Sequence, residues 1–313
     1  ASATYALCYG INGSLTFGAT GGTGTITYTV NGTSATSPYA GLAGTYTVVA
    51  TDANNCSTST VLTITEPTSV VLTASATDAL CNAINGSLLF NATGGTGTIN
   101  YTVNGVAQTS PFAAPAGTYT VVATDANACS TSTVLTITEP TALAMSSSAT
   151  NALCNAGNGS LSFSATGGTG TIAYTVNGTT QTSPFATLAG TYTIVATDAN
   201  ACSISNVQTI TEPSALVLTA TTTAALCNGL NGSLTFSATG GTGTVNYTVN
   251  GSAQTSPFSG AAGTYTVVAT DANACSVTTV LTITQPAVLT MGTPNITAQG
   301  CYGLSNGAFD ITS

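Results

Sequence analysis

The stretch from Asn12 to Gly32 reads NGSLTFGATGGTGTITYTVNG. Leu15, Phe17 and Ala19 alternate with small or polar residues, and beyond the Gly21-Gly22 pair Ile26, Tyr28 and Val30 do the same. A period of two places every second side chain on one face, the pattern of a strand with one side in a core and the other in water. Asn31-Gly32 follows at once, and Asn-Gly between two alternating runs signals a two-residue hairpin. Farther on, Tyr46, Val48 and Ala50 share a face, and Leu62 and Ile64 alternate with Thr63 and Thr65. Asn12-Gly13, Ser37-Pro38, Asp52-Ala53-Asn54 and Glu66-Pro67 punctuate the runs as turns. Helical periodicity is absent throughout.

The same text then returns. Leu-Cys occurs at Leu7-Cys8, Leu80-Cys81, Leu153-Cys154 and Leu226-Cys227, always at the interval that separates Cys8 from Cys81. Cys56, Cys129, Cys202 and Cys275 keep that period, as do Pro67, Pro140, Pro213 and Pro286. A fixed period of this kind marks a tandem array. The expected boundaries are 1–67, 68–140, 141–213 and 214–286, with 287–313 a partial fifth repeat. Six or seven short strands per period fit a small β-sandwich, so the fold class is all-β, a tandem array of immunoglobulin-like repeats. Tyr46, just after Gly44, is a candidate tyrosine corner, although antibody-type domains would add a Trp and place the second Cys two residues after that Tyr. The alternating strands barely change between copies, whereas the segment after the hairpin does: Thr33-Ser34-Ala35, Val106-Ala107-Gln108, Thr179-Thr180-Gln181, Ser252-Ala253-Gln254. Variable positions are expected in solvent-facing loops.

Composition narrows the function. The 313 residues include no Lys, Arg or His, and nine acidic residues give a formal charge of -9. Thr (67), Ser (30) and Gly (34) fill 131 positions, which favours strands and turns. Without cations the chain cannot neutralise phosphates, so nucleic acid is excluded as a partner. Without His, Ser-His-Asp and Cys-His catalysis are excluded too. One Asp and at most one Glu per repeat do not make a paired-carboxylate glycosidase. The expectation is a non-enzyme without cofactors. No apolar run approaches a membrane span.

Taken together, Cys8 to Pro67 reads C-x3-NGS-x-T-F-x-ATGGTGTITYTVNG, then AGTYTVVATDANNCS, then VLTITEP. This resembles the SprB-type repeat of Bacteroidota surface adhesins, over all four units and the opening of the fifth at Gly300–Thr312. The resemblance implies a very large secreted cell-surface protein engaged in adhesion, gliding or extracellular fibres. The lack of Lys and Arg and the near-identity of the copies depart from that family.

Candidate chemistry is sparse. The two cysteines of each repeat keep a constant spacing, and in a sandwich both can reach one pole. The expected disulfides are therefore Cys8–Cys56, Cys81–Cys129, Cys154–Cys202 and Cys227–Cys275, with Cys301 paired outside the chain. Asp52, Asp125, Asp198 and Asp271 begin a D-x-N motif. It reads as an Asx-turn capping a strand end, with weak calcium binding as the functional alternative. Asn12, Asn31, Asn85, Asn158, Asn177, Asn231 and Asn250 are candidate glycosylation sites; Asn-Gly also serves simply as turn chemistry. Glu66, Glu139 and Glu212 precede the boundary Pro, but Gln285 in the fourth repeat shows the charge to be dispensable.

The functional expectation is an extracellular adhesin stalk or fibril, with possible surface glycans as partners. The rival reading is a repeat module that binds carbohydrate, ice or calcium. Tight Glu-Pro junctions predict a stiff rod of roughly 35 Å per repeat. The first repeat starts without the leading strand expected at Ser69–Thr73, Ala142–Ser146 and Ala215–Thr219, while Ala287–Met291 is a surplus leading strand. The expected partner is thus a copy of the chain, joined head to tail, or further repeats of the same polypeptide. In either case Ala287–Met291 docks as an edge strand of the following repeat.

Overall fold

A computed structural model describes residues 1–297 and 308–310. Among these residues there are 30 strands and no helix. The chain divides into two compact units. The first comprises residues 1–144 with the loops 166–172 and 197–203; the second comprises 145–165, 173–196 and 204–313. Cys301 and Ile311 lie outside the described residues.

Repeat 2, in the first unit, shows the plan. Val71–Thr77, Gly86–Thr93 and Phe112–Ala114 form a three-stranded antiparallel sheet with Gly86–Thr93 in the middle. Asn100–Val103, Val106–Ala107, Gly117–Thr124 and Ser130–Ile137 form a four-stranded sheet, in which Asn100–Val103 pairs with both Val106–Ala107 and Gly117–Thr124. The inward faces meet in a cluster of Leu88, Phe90, Val103, Ala114, Val121 and Ile137. Repeat 4, in the second unit, repeats it with Leu234, Phe236, Val249, Val267 and Ile283. Each large side chain so buried contributes about 2 kcal/mol. The all-β tandem immunoglobulin-like expectation holds.

Polar contacts complete each sandwich. The Phe90 N–H donates to Ser110 Oγ (2.9 Å), so the Ser-Pro corner satisfies a backbone donor beside the core. Tyr119 Oη donates to Pro115 O (2.8 Å), and Tyr46, Tyr192 and Tyr265 repeat this bond four residues back. Tyr46 is indeed a tyrosine corner. Asn31 sits at φ 51° in the turn of the predicted hairpin, between Thr27–Val30 and Thr33–Ser34, and its Oδ1 accepts the Thr47 N–H (2.8 Å), which ties that turn to the neighbouring strand Gly44–Thr51. Among the described residues no buried side-chain polar atom lacks a partner.

The leading strand differs between repeats. It spans Val71–Thr77 in repeat 2, and in repeat 1 the sequence holds its last part, Ser2–Thr4, the counterpart of Ser75–Thr77. Ala287–Met291, expected to dock as a strand, is not part of any strand; Asn295–Thr297 instead pairs with Ala308–Asp310. Among the described residues no further full sandwich follows the fourth repeat for that segment to join.

Gly232 shows how tight the fit is. A Cβ there would run into the Thr223 carbonyl and Ile283 Cγ2 (2.5 Å). Gly232→Ala is expected to cost about 2 kcal/mol. Gly251→Ala meets no atom within 4 Å but must hold φ +81°, and should cost about 1 kcal/mol. Urea denaturation of the two variants checks the order.

Candidate functional site at the repeat joints

The cysteines do not pair as their spacing suggested. The disulfides are Cys8–Cys129, Cys81–Cys202 and Cys154–Cys275, each spanning 121 residues with Cα atoms 5.6–5.7 Å apart. The first cysteine of one repeat is thus bonded to the second cysteine of the next. Cys56 and Cys227 are free and exposed. The expected Cys8–Cys56, Cys81–Cys129, Cys154–Cys202 and Cys227–Cys275 pairings are corrected for a geometric reason. Cys8 lies in a loop held at the exit pole: the Ala6 N–H donates to Thr65 O (2.9 Å) and the Gly10 N–H to Glu66 Oε2 (2.7 Å). Cys56 precedes the strand Ser57–Ile64 that leads up to that pole. Eight strand residues separate the poles by roughly 25 Å, far beyond the ~7 Å a disulfide tolerates. A 121-residue loop contributes about 5 kcal/mol in the chain-entropy account.

Each second cysteine is positioned by the D-x-N motif. Asp125 Oδ1 accepts the N–H groups of Asn127 and Cys129 (both 2.9 Å), and Oδ2 accepts that of Thr96 (2.7 Å). Asp52, Asp198 and Asp271 make the same three bonds in their repeats. For Asp125, Asp198 and Asp271 burial pushes the carboxyl upward. The three N–H donors outweigh it and hold each below the ordinary carboxylate value. The Thr23 and Cys56 amides lower Asp52. These carboxylates serve the Asx-turn expected of them. Among the described residues no group of three or more His, Cys, Asp or Glu could hold a metal ion.

The motif's Asn crosses the joint. Asn127 Nδ2 donates to Leu7 O (3.0 Å), next to Cys8; Asn200 does so to Leu80 O, and Asn273 to Leu153 O. Spacing alone did not single out this Asn, though its place in every D-x-N-x-C run was the available signal. The linker adds a second contact. The Gly95 N–H donates to Thr68 O (2.9 Å), and the Val70 side chain lies against Gly95 beside Asp125. With the linker in place Asp125, Asp198 and Asp271 are buried, at 4–6% exposure.

Glu66, Glu139, Glu212 and Gln285 hold the loop that follows the first cysteine of their repeats. Glu139 Oε2 accepts the Ala83 N–H (2.7 Å), and Gln285 Oε1 accepts that of Gly229 (2.9 Å). An amide oxygen replaces the carboxylate there without loss of the bond. Of the sequon asparagines, Asn31, Asn177 and Asn250 use Oδ1 to tie their hairpin turns to the neighbouring strand, through the Thr47, Thr193 and Thr266 N–H groups. Asn104 makes the same bond with no hydroxyl residue two positions on. Asn12, Asn85, Asn158 and Asn231 each stand directly before a strand.

No family model and no curated protein matches the chain. Similar solved structures include Sidekick-1 immunoglobulin domains 1–5, at 13% identity and a TM-score of 0.30, covering 89% of this chain and 78% of that one. Protocadherin Gamma B2 extracellular cadherin domains 3–6 match at 12% and 0.29, over 90% and 96%. A Ca2+-stabilized adhesin of an ice-binding Antarctic bacterium matches at 19% and 0.34, over 88% and 92%. Similarity at this level carries no argument about what the chain does.

Two measurements follow from the joint. Non-reducing peptide mapping should recover Cys8–Cys129, Cys81–Cys202 and Cys154–Cys275, and no Cys81–Cys129. Acid should unfold the repeats. The Asp carboxyls titrate lower when folded, so their stabilisation is complete above the ordinary value near 4 and is lost as pH falls through the folded values. Asp125→Asn should destabilise repeat 2 at neutral pH and flatten its acid transition, as followed by urea midpoints against pH.

Proposed function

We propose that the chain is a load-bearing segment of an extracellular adhesin stalk or fibril, of the kind that the SprB-type resemblance implies. The observation that carries this reading is the covalent bond across each joint. A disulfide linking successive repeats does nothing for a catalytic or ligand pocket, but it shortens the covalent path along the array. From Cys129 the path to the next joint runs back along the chain to Cys81 and crosses to Cys202, which is shorter than the backbone from Cys129 to Cys202. Disulfides of this kind persist in oxidising compartments, which supports an extracellular location. No helix of the described residues is long and apolar enough to cross a membrane. Glycans on the exposed Thr, Ser and Asn residues fit the same setting and would help to solubilise a surface so poor in charge.

Single-molecule stretching tests the reading. With disulfides intact, each repeat should yield at most about 170 Å of stretched chain; after reduction the limit should rise to about 260 Å. Equal limits in both conditions would overturn the load-bearing role.

A further inference from the structure

The three disulfides open several covalent routes along the array, and the shortest one skips a joint. Cys129, bonded to Cys8, and Cys154, bonded to Cys275, bound one short stretch of backbone. A route from Cys8 to Cys275 therefore needs only two disulfides and the 24 residues 130–153. The route that also uses Cys81–Cys202 must run back through residues 82–128 and again through 155–201. Those two stretches hold most of the sandwich of repeat 2 and of repeat 3.

The short stretch has little slack. Ser130–Ile137 and Ala144–Thr150 are strands, so fifteen of its 24 residues already run extended. Residues 138–143 join the two, and there Pro140 fixes its own φ and biases Glu139 toward an extended backbone. No Gly occurs in 130–153, whereas 82–128 holds six, including those of the Gly94-Gly95 and Asn104-Gly105 turns. The stretch is also fastened along its length. Ser130–Ile137 pairs with Gly117–Thr124 over eight residues. The Thr138 N–H donates to Asp78 Oδ1 (2.7 Å), Thr138 O accepts the Ala79 N–H (2.9 Å), and Thr141 O accepts the Gly168 N–H (2.9 Å). Ala144–Thr150 lies beside Gly159–Thr166 in its sheet. Antiparallel ladder bonds stand perpendicular to the strands, so tension along a strand shears the whole ladder at once instead of opening it bond by bond.

We propose that residues 130–153 are the tension-bearing strap between the first and third joints, and that the sandwich bodies 82–128 and 155–201 are shielded from the pull. The inference rests on the stalk reading and names the residues that carry its load. At roughly 3.5 Å per residue the strap is taut at about 90 Å. That limit is tighter than the one set by the path through Cys81, because it spans two joints at once. The bodies lie on the longer, parallel route, which stays slack once the strap is taut. Their turns and core can then be kept for folding, while the strap is built of strand and Pro.

The test pulls the oxidised 313-residue chain by its two ends and compares two double variants, each lacking one disulfide. Cys81→Ser with Cys202→Ser removes the middle bond and leaves the strap tied at both ends. Cys154→Ser with Cys275→Ser makes the same chemical change but frees one end of the strap. The first variant should stretch to the same limit as the unmodified chain. The second should reach about 340 Å farther, because its shortest route then runs through 82–128 and 203–274. Non-reducing peptide mapping verifies the two remaining bonds in each variant, and a covalent limit holds even where a loosened repeat unfolds. Lengthening of the first variant, or none in the second, would overturn the proposal. The stalk reading fails separately, if the unmodified chain reaches one limit whether oxidised or reduced.

Discussion

The Asp carboxylate at the end of the Gly117–Thr124 strand gathers three backbone N–H groups, and the rest of the joint hangs on that arrangement. It ties the Gly-Gly turn of one hairpin to the turn that presents Asn127 and Cys129. It thereby fixes the two groups that reach the preceding repeat. A carboxylate supplied with three donors stays ionised even when buried, which explains how a chain with no cation at all can bury Asp125, Asp198 and Asp271.

The joint and the sandwich share their parts. The linker that enters repeat 2 lies on Gly95 and continues directly into the strand Val71–Thr77, whose Leu72 and Ala74 pack on the core. Stability of a repeat and attachment to its neighbour are therefore coupled. A core of about five large side chains is small for an independent domain, and the array compensates by bonding each repeat covalently to the next.

Much of this was legible beforehand. The alternation at Leu15, Phe17, Tyr28 and Val30, the Asn31-Gly32 hairpin and the candidate corner at Tyr46 all name local events. Side chains two apart or turn residues four apart decide them, and the structure places them as read. The D-x-N motif was legible as a turn cap for the same reason, because its donors lie within four residues of the Asp, apart from Thr23. The Asn54 series was missed as a joint contact. Its acceptor, Leu7 O for Asn127, is 120 residues away, and no local pattern reports such a partner.

The sequence by itself determined the strand pattern, the period and the existence of two cysteine series in fixed phase. It could not determine which members pair. The second cysteine of the same repeat and the one 121 residues ahead belong to the same periodic series, so every copy offers both equally. Only the tertiary structure decides, because an eight-residue strand puts Cys8 and Cys56 at opposite poles, while the succeeding repeat brings the Cα of Cys129 within 5.6 Å of that of Cys8. Periodicity records what recurs along the chain; the direction in which each strand carries its ends is a matter of three-dimensional path.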